Sequence, residues 1–142
     1  MIQRLDHLVL TTRYRDRSID FYTRVLGMRL ETFGQGRLAF RFGDQKINLH
    51  EAGREFEPKA ERPTPGALDL CFLAREPLAA VVRRLEAAGI PIEVGPVPRT
   101  GATGPIRSVY VRDPDGNLIE IAEAEAPPAG AASRAPEGSV DA

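Results

Sequence analysis

Asp113-Pro114-Asp115-Gly116-Asn117-Leu118-Ile119-Glu120-Ile121 decides how this chain is read. The first four residues make a tight turn: the proline ring presets one turn dihedral, and Gly116 accepts the positive φ that a Cβ resists. Strand-forming residues flank the turn, so the stretch reads as a β-hairpin. Glu120 stands between Ile119 and Ile121, and the two-residue period of a strand puts it on the face opposite both. A carboxylate there is either a solvated outer-face residue or a group kept for chemistry.

Upstream of the turn, 106–112 reads as a strand, 95–104 as a Gly/Pro-rich loop and 90–94 as a short strand. A helix is expected over 76–88, with Leu78, Val81, Val82 and Leu85 on one side and Gly89 ending it, after a strand at 67–73. The first half has the same order. A strand at 5–12 leads to a helix at 15–26, in which Ile19, Tyr22, Val25 and Leu26 recur at helical spacing, Asp16 or Ser18 offers a cap, and Gly27 ends the helix. Strands follow at 28–33, 37–42 and 46–51, and 52–66 connects the halves as a loop. From 124 on, Ala, Pro, Gly and Ser dominate, and 124–142 is expected to be a disordered tail.

The chain therefore contains two βαβββ repeats, 4–52 and 67–123, in one domain over 1–123. His7 and Asp69 occupy equivalent places 62 positions apart, and Gly27 and Gly89 share that offset. Asn48 and Glu120 correspond at an offset of 72 because of the longer loop before Ile106. A repeat this short cannot bury both faces of its sheet, so the halves should pair.

Alternation separates two faces. One carries Leu8, Leu10, Leu38, Phe40, Phe42, Ile47, Leu49, Leu68, Leu70, Phe72, Val109, Val111, Ile119 and Ile121, and should hold the helices. The other shows His7, Arg41, Asn48, His50, Asp69, Cys71, Ser108, Tyr110 and Glu120, interleaved with apolar Leu5, Val9, Leu118 and Ala122. Wet polarity accounts for the arginines of that face; it accounts less well for His7 and Glu120 among apolar neighbours. If the sheets curl, this face becomes a half-apolar concavity with convergent polar groups, the usual character of a small-molecule site.

Composition narrows the classes. The 142 residues carry a formal net charge of −1, which gives no general pull toward nucleic acid or an anionic membrane. No apolar run is long enough to span a bilayer, and the N-terminus enters a strand without the apolar stretch of a signal peptide. The single cysteine, Cys71, forms no internal disulfide and suits a reducing cytoplasm, where a buried inert thiol is expected.

Three runs carry a family resemblance: Leu5-Asp6-His7-Leu8-Val9-Leu10; Phe21-Tyr22-Thr23-Arg24-Val25-Leu26-Gly27-Met28; and Arg112 through Glu120. Through them the chain resembles the vicinal oxygen chelate superfamily of glyoxalases, extradiol dioxygenases and bleomycin-resistance proteins. The runs 47–53, 99–101 and 104–108 resemble, more narrowly, the glyoxalase-domain-containing protein 5 group. The resemblance implies an α+β fold, a cupped eight-stranded mixed sheet with helices on its outer face. It also implies a divalent metal (Mn²⁺, Fe²⁺, Ni²⁺ or Zn²⁺) in the cup and a homodimer, for which 28–33 and 52–66 offer surface. His7 and Glu120 match the first and last ligands of the family, Asp69 stands where a histidine is usual, and Asn48 stands where some members place a glutamate. His50, on the same face as Asn48, is an alternative ligand. A neutral imidazole with carboxylates suits such a metal, and Glu120 or Asp69 would move a proton. Arg41, Arg99, Arg107, Asn48, Ser108 and Tyr110 are candidates for substrate contact, the arginines for a carboxylate or phosphate. The implied function is a metal-dependent lyase, isomerase or dioxygenase acting on a small oxygen-chelating substrate; the alternative is a metal-free sequestering protein.

Overall fold

The computed structural model describes residues 1–125; of the tail expected over 124–142, residues 126–142 lie outside the described residues. In chain order the elements are β1 His7–Thr12, α1 Arg15–Asp20 continued by a π-helical turn Phe21–Val25, β2 Arg29–Phe33, β3 Arg37–Phe42, β4 Gln45–Glu51, β5 Asp69–Leu73, α2 Leu78–Ala87, β6 Val94–Gly101, β7 Gly104–Arg112 and β8 Leu118–Ala124. The eight strands form two four-stranded sheets, ordered β1-β4-β3-β2 and β5-β8-β7-β6. The shared order is the structural form of the sequence repeat. Gly27 at φ 77° and Gly89 at φ 71° close the two helices at equivalent places.

Packing divides the chain into two units. The first is Met1–Leu70 with Arg112–Leu118, and the second is Cys71–Val111 with the residues from Ile119 on. In the first, β1 pairs parallel with β4, while β3 pairs antiparallel with β4 and with β2. Leu10, Phe40, Ile47 and Leu49 of the apolar face are buried with Phe21, Tyr22, Val25 and Met28. Tyr22 stacks on Phe40 at 5.0 Å, which places the helical segment on that face. In the second unit Val109, Val111, Ile119 and Ile121 are buried with Leu78, Val81 and Leu85 of α2. Glu123, on the Ile119 and Ile121 face, accepts from the Leu78 backbone N–H at 3.2 Å and so takes one of the helix's unpaired donors.

The turn after β7 is packed into the first unit. Asp113 is buried, and its carboxylate accepts from the Tyr22 hydroxyl at 2.7 Å, the Asn117 side-chain amide at 2.7 Å, and the Asp115 and Asn117 backbone N–H groups at 2.9 Å each. Asp115 accepts from the Thr12 hydroxyl and, at 2.9 Å, from the Arg13 N–H. Asn117 Oδ1 accepts from the Leu68 N–H at 2.8 Å. Burial and the adjacent Asp113 carboxylate push the Tyr22 phenol far above its ordinary pKa.

Four local expectations are corrected. The stretch 95–104 is not a loop: residues Val94–Gly101 form β6, whose edge position leaves Pro96 and Pro98 with no ladder partner to lose on the outer side, and the register shifts between Val94 and Val97. Neither Asp16 nor Ser18 caps α1; the chain enters through Tyr14, and buried Ser18 bonds the Thr12 hydroxyl at 2.7 Å instead. Cys71 is exposed, because it shares the outward face of edge strand β5 with Asp69. Residue 124 ends β8 rather than starting a tail, and the Glu125 N–H still bonds the Pro105 carbonyl at 3.0 Å.

Truncating Asp113 to alanine orphans buried donors and should cost about 3 kcal/mol, a fall of roughly 10 °C in the melting temperature. Gly66→Ala should also destabilise, since Gly66 sits at φ 82° and a Cβ would lie 2.6 Å from the Asp115 carbonyl oxygen. Calorimetric scans of both variants check this, and melting unchanged within 2 °C, on the order of 0.5 kcal/mol, would contradict it.

Candidate functional site

Strand register assembles the second face of the first sheet row by row. Lys46 lies beside Arg41, and Arg41 beside Arg29. In the next row Asn48 lies between Val9 and Ala39, with Glu31 beyond. His50 lies beside Thr11, and Arg37 beside Phe33. Asn48 and His50 are buried at 5% and 3% exposure. Asn48 Oδ1 is buried without a hydrogen-bond partner among the described residues.

His50 Nε2 lies 3.4 Å from an Arg37 guanidinium nitrogen, and its ring meets Phe56 edge-on at 5.6 Å. Burial, then the Arg37 charge, lowers the His50 pKa, with Glu55 opposing. A neutral imidazole with Nε2 as acceptor fits that contact. The Arg37 guanidinium lies 5.1 Å from the Phe33 ring centre and 4.8 Å from that of Phe56. The Lys46 ammonium sits 3.7 Å over Phe33. Arg41 is committed elsewhere, bonding Glu31 at 3.1 Å and holding that carboxyl below its ordinary pKa.

On β1, His7 is exposed, with Nδ1 2.8 Å from the Asp6 carboxylate. Asp69 is exposed at the start of β5.

In the second unit, half-buried Glu120 accepts from the buried Ser108 hydroxyl at 2.6 Å. Tyr110 shares the Ser108 face, and its hydroxyl accepts from Arg99 Nε at 2.9 Å. Arg107 is exposed, and alternation puts it on the other face, with Val109 and Val111. The structure thus brings Ser108 to Glu120 and Arg99 to Tyr110, and turns Arg107 away.

The metal set was tested on this geometry. Among the described residues no three His, Cys, Asp or Glu side chains form a group that could hold a metal ion. His7 and Glu120 belong to different units, and the acceptor nitrogen of His50 faces a guanidinium, whose charge opposes a dication there. The donor types suit a divalent metal, although no group of three gathers among the described residues.

Residues 4–121 match the family model of the Glyoxalase/Bleomycin resistance protein/Dioxygenase superfamily. The chain belongs to that superfamily. It is 58% identical to glyoxalase domain-containing protein RDO1 of Mycosarcoma maydis over 120 residues, 84% of this chain and 68% of that one. It is also 58% identical to virulence protein STM3117 of Salmonella typhimurium, over 87% of this chain and 85% of that one. The STM3117 crystal structure superposes with a TM-score of 0.86, covering 88% of this chain and 99% of that one. A lactoylglutathione lyase from Agrobacterium tumefaciens, 25% identical, gives a TM-score of 0.67 over 87% of this chain and 95% of that one. Superfamily membership accounts for the βαβββ repeat.

Arg37, Lys46, Phe33 and Phe56 escaped notice as site residues in the sequence. The two cations were legible, since they alternate with Leu38 and Ile47; that Phe33 and Phe56 meet them depends on tertiary placement.

His50 should titrate below the ordinary histidine value of about 6.5. The unfolded chain then binds the extra proton, so the contribution of His50 to stability is present above about pH 6.5 and is lost as pH falls toward the folded value. Imidazole proton NMR checks this, with His7→Gln assigning the two histidines; an inflection at or above the ordinary value contradicts it.

Proposed function

We propose that the chain is an enzyme of the superfamily, a lyase, isomerase or dioxygenase, acting on a small oxygen-bearing substrate with Glu120 as the carboxylate that moves a proton. The observation that carries this reading is a half-buried carboxylate within an apolar strand, with one oxygen held by a buried hydroxyl. Ser108 orients that carboxylate and leaves its second oxygen to accept a proton from a carbon or hydroxyl of the substrate. The likeness to a lactoylglutathione lyase supports the enzymatic class.

A divalent metal in this reading, Mn²⁺, Fe²⁺, Ni²⁺ or Zn²⁺, would be held by His7, Asp69 and Glu120, with His50 turned to Arg37, and would supply polarisation of a substrate oxygen. The reading includes a homodimer. The exposure of Leu5 (57%), Val9 (41%) and Leu73 (60%) on or beside edge strands β1 and β5 supports burial against a second copy. A metal-free sequestering protein is the second reading, favoured by the exposed aspartate where the family usually has histidine. Cytoplasmic location also belongs to the proposal; no helix among the described residues is long and apolar enough to cross a membrane.

Protein purified without chelator should contain about one divalent ion per site, retain a dimer in sedimentation, and turn over a vicinal-oxygen substrate such as catechol. Glu120→Gln should lower kcat at least a hundredfold, the usual scale of a lost general base, with folding intact. Absence of metal, of uptake on titration and of turnover would leave the sequestering reading.

A further inference from the structure

We propose that the second face of the first sheet binds a small organic acid bearing a hydroxyl or N–H donor, its carboxylate taken by Arg37 and Lys46 and its donor by Asn48 Oδ1. This site is read from the first unit alone and does not depend on chemistry at Glu120.

Charge comes first. On β2, β3 and β4 this face carries Arg29, Arg37, Arg41 and Lys46 against one carboxylate, Glu31, in a chain whose formal net charge is −1. Glu31 is already bound by Arg41. Glu55, the acid acting on His50, accepts from the Gly53 N–H at 3.0 Å. Arg37 and Lys46 make no ion pair among the described residues; aromatic rings and a neutral imidazole surround them instead. Asp6 and Glu31 act on Lys46 only at longer range, Asp6 being bonded to His7 and Glu31 to Arg41, so two half-buried cations without a contact ion pair present a site for an anion.

Asn48 supplies the second condition. A buried carbonyl oxygen without a donor is costly, and a ligand hydroxyl or amide N–H removes that cost. Asn48 and Ala39 form the middle row, with Lys46 and Arg41 on one side and His50 and Arg37 on the other. Lys46 reaches across that middle row to Phe33. An incoming carboxylate gives the ammonium an anionic partner one row from Asn48. Ala39, with no side chain beyond Cβ, leaves room above the sheet, and Phe33 and Phe56 give a planar ligand two rings to lie against.

The probes are 2-, 3- and 4-hydroxybenzoate, with benzoate lacking the donor, the hydroxybenzamides lacking the charge, and inorganic phosphate lacking the ring. Titration calorimetry should show one hydroxybenzoate binding at least tenfold tighter than benzoate, its amide and phosphate, the scale of one hydrogen bond to an otherwise unsatisfied or charged group. Lys46→Met and Arg37→Gln should each weaken it about tenfold, and Asn48→Leu should equalise hydroxybenzoate and benzoate. Lys46→Met alters a partly exposed side chain and keeps the result interpretable should Asn48→Leu fail to fold. Equal affinity for benzoate and hydroxybenzoate in the unaltered protein, equal affinity for phosphate, or no binding at millimolar concentration overturns the proposal. So does sedimentation showing that Lys46→Met dissociates a dimer without changing ligand affinity, which would make this face an interface between copies. Because binding is read without turnover, loss of hydroxybenzoate binding with turnover intact sinks this site alone, and absence of turnover with binding intact sinks the enzymatic reading alone.

Discussion

A buried carboxylate must be met by donors or the fold pays several kcal/mol for it, and Asp113 is met on every side. Two of its donors are backbone N–H groups of its own turn, one is the Asn117 amide, and one is the Tyr22 hydroxyl from a segment 91 positions away. The local bonds explain why the turn needs an aspartate followed two and four residues on by free N–H groups. The distant bond explains why the helical segment carries a tyrosine where an apolar aromatic would pack equally well on Phe40. Asp115 repeats the logic toward the β1–α1 junction through Thr12 and Arg13.

This constraint has a consequence for chemistry. A turn held by its own side chains fixes the residue at which β8 begins, and a two-residue period then decides which face Glu120 presents. Slippage by one position would bury Glu120 among the helix-facing isoleucines. The register that sets the face of the Glu120 carboxylate is therefore secured by the side chains of the turn just before it.

The two faces of the first sheet spend stability differently. One buries Leu10, Phe40, Ile47 and Leu49 beneath the aromatic helical segment and needs no polar compensation. The other buries His50 against Arg37 and Asn48 with its side-chain oxygen unpaired among the described residues, beside cations resting on phenylalanine rings. Packing alone gives no reason to bury such groups, and strain of this kind is characteristic of surfaces kept for a ligand.

Alternation and repetition were enough to determine the order of the elements, the two βαβββ repeats, the glycines that close both helices, and the assignment of Ile119 and Glu120 to opposite faces, because these depend on the stereochemistry of neighbouring residues. Failures came where local chemistry competes with a remote partner. Two prolines and three glycines in 95–104 read as a loop, yet pairing with β7 makes an edge strand of most of that stretch. Ser18 read as a helix cap, yet Thr12 claims its hydroxyl. Arg41 meets Glu31 from the neighbouring strand, while Arg37 and Lys46 face aromatic rings. Which charges are neutralised, which buried oxygen is orphaned, and which histidine meets a cation are settled by residues brought together across strands, and no periodicity within one strand encodes them.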